Sequence, residues 1–324
     1  MRVAEEVRGA DALAALALDW ERLWRDDPAA TPFHHPAWLV PWAQTFQPDR
    51  CRALTLRDGG RLLALWPLFL LGDRLLPLGC GTTDWLGPVV APGLTGADLA
   101  PLFARLERDP DWRSCEADRL PPDSPLVLAA APWPGEDGEG EPAPALDLPA
   151  PLSRARRQNL RTGWNRLRRL GLPAVRRVRG GAVAAAFDAL SSLHAARWRE
   201  REEAGVLAAP EVEAFHRLAV PALEAAGLLR LLSLDLDGRP VAVLYGLQAK
   251  GCFHYYLGGF DPALAEAGPG TLLVGEAIGA AAAEGCTLFD FLRGREPYKY
   301  RWGAVDRPCR TRRFFRDGHR GDRP

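Results

Sequence analysis

Apolar positions along the 324 residues follow two rhythms, alternation and three-to-four spacing, and these succeed one another in the same order twice. Residues 53–70 (ALTLRDGGRLLALWPLFL) and 231–248 (LLSLDLDGRPVAVLYGLQ) are each an apolar run, an Asp-Gly turn and a second apolar run. Asp-Gly between such runs predicts a hairpin, because both residues tolerate the positive φ of a tight turn. A third strand follows each hairpin, RLLPLG in one half and CFHYYLGGF in the other. A glycine-containing connection then leads to a helix, ADLAPLFARLERD or TLLVGEAIGAAAAEG, and to a last strand, SCEADRL or TLFDFL. Helical spacing also precedes each hairpin, in ADALAALALDWERLWR and HPAWLVPWAQTF, then in VAAAFDALSSLHAARWRE and PEVEAFHRLAVPALEAAG.

Five elements in one order predict two copies of an α–α–β–β–β–α–β unit. The expected class is α/β with mixed sheets flanked by helices. The predicted division is an N-terminal half over 1–131, a linker over 132–150, a C-terminal half over 151–316 and a tail over 317–324. Pro, Gly and Glu in APWPGEDGEGEPAPA mark the linker.

Composition adds limits. Lys and Arg together number 41, as do Asp and Glu, so no global field recruits DNA or an anionic membrane. The six cysteines show no CxxC or CxxH spacing, which speaks against a zinc site or a disulfide framework and fits a reducing cytoplasm. The acidic N-terminus does not read as a signal peptide, and LLALWPLFLLG is too short to span a bilayer, so a soluble chain is expected.

Three segments carry candidate chemistry. Gly268-Pro269-Gly270-Thr271 opens a helix, whose free amides and positive dipole end suit an anion such as a pyrophosphate; Thr271 is the expected cap. Plain capping after a proline turn explains the same residues, since no full GxGxxG or GxxxxGK[ST] is present. The run from Asp290 to Gly303 (DFLRGREPYKYRWG) gathers Asp290, Arg293, Glu296, Tyr298 and Lys299 after the final strand, where α/β sheets tend to hold ligands. Such groups can stabilise an oxyanion, hold a phosphate or relay a proton; a salt-bridged aromatic loop is the rival reading. The basic stretch 153–171 (SRARRQNLRTGWNRLRRLG) offers Arg157 and Arg161 to substrate phosphates or tRNA, or simply to solvent. Histidines show no metal-ligand spacing, His194 reads as packed, and no metal is expected.

These residues resemble a known group. FHYYLGGFDPALAEAGPGTLLVGEAI followed by FDFLRGREPYKYRWG is similar to the acetyltransferase domain of CelD/BcsL-type proteins of cellulose and exopolysaccharide synthesis, which has the GNAT fold. SRARRQNLRTGWNRLRRLGL and YKYRWG also resemble Fem-type aminoacyltransferases, which carry two GNAT-like halves. LHAARWRE followed by REEAG belongs to the same pattern.

The resemblance implies two tandem GNAT-like halves and transfer of an acyl group from acetyl-CoA or another acyl-CoA to an amine or hydroxyl. The acceptor would be a sugar, a nucleotide-sugar or an amino acid, in the cytoplasm or at the inner membrane's face. Gly268, Gly270 and Thr271 would face the donor's pyrophosphate, and Lys299 the transferred group or an acceptor phosphate. Asp290 and Tyr298 complete the expected catalytic set, while Arg157, Arg161, Arg293, Glu296 and Tyr256 are the expected substrate contacts. A tRNA-dependent aminoacyl transfer and a non-catalytic module of a polysaccharide synthase remain the alternatives.

Overall fold

Strand β1 (Arg2–Arg8) begins the chain in the computed structural model, which describes residues 1–199 and 205–316. The REEA stretch at 201–204 and the tail expected over 317–324 lie outside the described residues. After β1 come α1 (Ala10–Ala15), α2 (Ala17–Asp26), α3 (Pro36–Phe46), β2 (Cys51–Asp58), β3 (Arg61–Leu71), β4 (Arg74–Pro77) and β5 (Val89–Val90). Next are α4 (Ala100–Glu107), β6 (Ser114–Leu120), α5 (Pro125–Leu128) and β7 (Gly135–Glu139). The second series runs β8 (Ala143–Asp147), α6 (Arg154–Leu170), β9 (Pro173–Val178), α7 (Val183–Arg199), α8 (Pro210–Ala225), β10 (Leu229–Leu236) and β11 (Arg239–Ala249). It continues with β12 (Cys252–Phe260), α9 (Pro269–Ala283), β13 (Leu288–Asp290), α10 (Pro297–Tyr300) and β14 (Val305–Arg307), before β15 (Arg310–Phe315) ends the described chain.

Two compact units result, Met1–Glu141 together with the segment from Pro308, and Pro142–Arg307. In the first unit the sheet order is β1-β2-β3-β4-β6-β15-β7, with β5 beside β3. The β4–β6 pair is parallel and its neighbours are antiparallel. Leu54, Trp66 and Leu68 of the hairpin pack there with Leu102, Phe103 and Leu106, the buried face of α4. In the second unit the order is β14-β8-β13-β12-β11-β10-β9, and again one pair, β12–β13, is parallel within an antiparallel sheet. Both units are thus mixed α/β, and the two copies foreseen from the apolar pattern are present.

The predicted linker is built differently from its composition. Its residues form β7, which pairs with β15, and β8, which pairs with β13 and β14. GEDGE in β7 has no apolar alternation; its strand conformation comes from pairing with the chain's far end, a non-local contact that composition does not encode.

Helix α9 sets the centre of the second unit. Leu272, Leu273, Val274, Ala277, Ile278 and Ala281 are all buried, a broad apolar face turned to the core, while Thr271, Glu276, Gly279 and Ala283 are exposed on the other side. Phe253 and Phe289 stack beneath it at 4.8 Å with rings 6° from parallel, joining the β12–β13 pair. Helix α6 lies across α9 and the turn before it. A Cβ at Gly163 would stand 2.6 Å from the Ala267 carbonyl oxygen, so only glycine permits this approach.

Candidate functional site

The parallel β12–β13 pairing covers only Cys252–His254 against Leu288–Asp290, while β12 runs on to Phe260. Beyond His254 the two strands therefore share no ladder. Against β11 the register of β12 also breaks: Tyr245 lies opposite Leu257 and Gly246 opposite Tyr255, which makes Tyr256 the extra residue of a bulge. A bulge re-aims side chains and interrupts backbone pairing where a ligand can use it. Gly258 and Gly259 follow at once; a Cβ at Gly259 would lie 2.7 Å from the His194 nitrogen of α7.

After β12 the chain reaches α9 through a short 3-10 turn, Pro262–Ala267. Gly268 is the N-cap of α9, at φ 64° and ψ 49°, a left-handed conformation that favours glycine. It supplies no side-chain cap, and a Cβ there would meet nothing closer than Thr271 at 3.9 Å. The expectation that Thr271 caps the helix is corrected: the helix begins at Pro269, which places Thr271, exposed, inside the first turn. Gly270 has a packing reason, since a Cβ there would lie 2.9 Å from the Phe260 ring.

The segment after β13 folds around Lys299. Its ammonium is 2% exposed and donates to the carbonyl oxygens of Leu292 and Gly294, each at 3.0 Å, and to that of Arg293. Glu296 Oε2 lies 2.9 Å away. An ammonium has three N–H donors, so this group is committed to holding its own loop. Leu292 and Gly294 have φ of 61° and 99°, and the Leu292 conformation is one that L-residues rarely adopt. Asp290 takes the other side of the same residue, its Oδ1 accepting from the Leu292 amide at 2.7 Å.

Tyr298 stands apart from that ion cluster, edge-on to Tyr255 at 6.5 Å and to Phe291 at 6.2 Å. Burial pushes both phenols above their ordinary pKa, so each keeps its O–H and a lasting phenolate is disfavoured at either. Tyr255 and Phe291 belong to the face that packs toward α9. By strand alternation Cys252, His254 and Asp290 occupy the opposite face. Tyr256 lies with His216 of α8, its hydroxyl 3.3 Å from Nε2, and with Tyr245 at 5.3 Å.

Arg157 and Arg161 are exposed on α6, and Arg157 donates to the Leu152 carbonyl. Arg156, their neighbour, lies over the Trp302 ring at 4.3 Å and ties α6 to the end of the loop. Thus the structure unites Asp290, Arg293, Glu296 and Lys299 in one loop and sets Gly268, Gly270 and Thr271 at the α9 N-terminus. Tyr256 is at the bulge and the α6 arginines are on an outer face. A cavity of about 220 Å³ lies elsewhere, between β9, β10 and the later turns of α9, where Glu284 bridges Arg177 and Arg230.

Sequence reasoning missed Tyr255 and the grouping of Cys252, His254 and Asp290, whose ligand-capable atoms lie within 4.8 Å of one another. The available signal was Cys-x-His in a strand, where a spacing of two puts both side chains on one face. His194 is packed as expected, accepting from Trp198 Nε1 at 2.8 Å.

Residues 154–300 match the family described as an acetyltransferase (GNAT) domain. No curated protein matches the chain. Among solved structures, FemX superposes with a TM-score of 0.63 at 11% identity, over 93% of this chain and 96% of that one. L-PGS from Bacillus licheniformis gives 0.62 at 12%, over 93% and 92%. The C-terminal domain of an Agrobacterium fabrum protein assigned as a lysylphosphatidylglycerol synthetase gives 0.61 at 13%, over 93% and 91%. At these identities the likeness establishes the fold: a GNAT-type acyltransferase fold in which both units are covered.

Proposed function

We propose that the protein transfers an acyl group from an acyl-CoA thioester, acetyl-CoA foremost, to an amine or hydroxyl of a sugar, nucleotide-sugar or amino-acid acceptor. The observation that carries this reading is the bulge at Tyr256 on β12, which runs on past His254 where its pairing with β13 ends, with the α9 N-terminus following. The donor's pyrophosphate would lie at Gly268–Thr271, where the helix end offers amides and no side-chain cap competes. The backbone of β12 beyond the bulge would hold the thioester carbonyl and stabilise the oxyanion as the acceptor attacks. A carbon–nitrogen or carbon–oxygen bond forms and the carbon–sulfur bond breaks; Tyr298 passes its proton to the departing thiolate while the proton shed by the acceptor's amine or hydroxyl replaces it, so no phenolate is left behind.

Lys299, Asp290, Arg293 and Glu296 act in this scheme by fixing the loop that carries Tyr298, and Arg157 and Arg161 attract the anionic part of the acceptor. The resemblance to CelD/BcsL-type proteins favours an acceptor from polysaccharide or envelope synthesis, handled in the cytoplasm or peripherally at the inner membrane. Six free cysteines fit that compartment, and among the described residues no helix is long and apolar enough to cross a membrane. The test is thiol release from acetyl-CoA in the presence of amino-sugar, nucleotide-sugar and amino-acid acceptors. Acceptor-dependent release supports the reading; none with any donor–acceptor pair counts against it.

A second reading is aminoacyl transfer from charged tRNA. It is favoured by Arg154, Arg157, Arg161, Arg168 and Arg169, all exposed on one helix, and by the Fem-type resemblance. Such binding would weaken steeply as salt rises.

A further inference from the structure

On the face of the second sheet away from α9, Cys252, His254 and Asp290 point to a common centre. His254 Nδ1 lies 3.4 Å from Asp290 Oδ2 and 3.9 Å from Cys252 Sγ. All three ligand atoms fall within 4.8 Å of one another. We propose that these residues form a binding site for a divalent transition-metal ion, zinc in the first instance, with three protein ligands and a fourth position for water.

The separations suit that ion. With Zn–S of about 2.3 Å and Zn–N and Zn–O of about 2.0–2.2 Å in tetrahedral arrangement, ligand atoms stand roughly 3.3–3.6 Å apart. The His–Asp distance already matches, the Cys–His distance needs a closure of a few tenths of an ångström, and the Cys–Asp pair, within 4.8 Å, closes as the Cys252 side chain turns inward. A thiolate, an imidazole and one carboxylate are also a donor set that suits zinc better than magnesium or calcium.

The scaffold is stiff. Cys252 and His254 alternate onto one face of β12, and His254 stands opposite Asp290 in the parallel ladder. Phe253 and Phe289, stacked on the other face, fix that register from behind. The Leu292 amide holds Asp290 Oδ1 at 2.7 Å, so Oδ2 is the oxygen presented to His254. An outer hydrogen bond of this kind orients a ligating carboxylate. His254 and Asp290 are both 3% exposed, whereas Cys252 is half-buried and gives solvent a route to the ion.

A cysteine nucleophile activated by a His–Asp pair is the competing chemistry for these residue types. That relay needs the thiol at one ring nitrogen and the carboxylate at the other. Here the same nitrogen, Nδ1, faces both partners, which is convergence on a point and not a relay.

The test uses the full chain, treated with EDTA, desalted and titrated with Co(II). The expected result is one equivalent bound, with a thiolate-to-cobalt charge-transfer band in the near ultraviolet that Zn(II) abolishes by displacement. Cys252→Ser should remove the band, and Asp290→Asn should weaken cobalt binding at least tenfold. Absence of the band in the wild-type protein, checked as folded by circular dichroism, would overturn the proposal without reliance on any variant. A band that survives in Cys252→Ser would also overturn it, by assigning the metal to another cysteine.

Discussion

Asp290 and Lys299 grip the same residue from opposite sides: Asp290 Oδ1 accepts from the Leu292 amide at 2.7 Å, and Lys299 Nζ donates to the Leu292 carbonyl at 3.0 Å. Leu292 sits at φ 61°, a conformation its own side chain disfavours, so both contacts are needed to keep it there. Lys299→Met leaves the buried Leu292 carbonyl oxygen and the part-buried ones of Arg293 and Gly294 without their donor. A loss of about 3 kcal/mol in unfolding free energy is expected, by denaturant titration, alongside loss of turnover. Unchanged stability with turnover abolished would assign Lys299 to the chemistry instead of the loop.

Tyr298 gives the converse expectation. Tyr298→Phe keeps the edge-on packing against Tyr255 and Phe291 and removes one hydroxyl. The melting temperature should hold within a few degrees while kcat falls by about a hundredfold, with KM for the donor little changed. A wild-type kcat in the variant would remove the phenol from the proton path.

Gly163 tests how α6 is seated. Alanine is favoured over glycine by about 1 kcal/mol inside a helix. Yet a Cβ at this position would stand 2.6 Å from the Ala267 carbonyl oxygen, which is backbone and cannot step aside alone. Gly163→Ala should therefore destabilise by roughly 1–3 kcal/mol by denaturant titration, the overpacking term exceeding propensity. A stabilised variant would show that α6 is not packed this closely.

His216 makes acid stability measurable. It is buried on α8 among Phe187, Phe215, Tyr245 and Tyr256, and burial pushes its imidazole down to about 3. The unfolded imidazole protonates near 6.5, as in model compounds, so between these values the unfolded state binds more protons. Stability is fully present above about pH 6.5 and declines as pH falls, by about 2 kcal/mol at pH 5 from this group alone. His216→Phe should flatten that part of the profile in urea titrations at a series of pH values; an unaltered slope would place the imidazole in a wetter setting.

Much of the fold was legible because local patterns agree with it. The Asp-Gly turns fall between β2 and β3 and between β10 and β11, and the helices α4 and α9 and strands β6 and β13 follow in the foreseen order. What composition hid was pairing at a distance. β15 completes the first sheet from the far end of the chain, and β7 is a strand only because β15 lies beside it. The site divides the same way. Glycines at 268 and 270 and the cluster from 290 to 299 could be named from sequence, whereas their roles depend on geometry. Gly270 makes room for Phe260, and Lys299 turns inward onto its own loop. The bulge at Tyr256 leaves no mark in the run CFHYYLGGF, because a register shift is a property of two strands and not of one.

An acyl-CoA thioester would lie along β12 beyond its pairing with β13, with its pyrophosphate at the α9 N-terminus. Calorimetric titration of the folded protein with acetyl-CoA, longer acyl-CoA thioesters and free CoA tests it most directly, with Gly268→Val as the comparison, since that change forces a side chain into a left-handed cap. The expected result is saturable binding of one thioester per chain, weakened at least tenfold in the variant. No binding of any thioester by the wild-type protein would contradict it and shift the donor to charged tRNA.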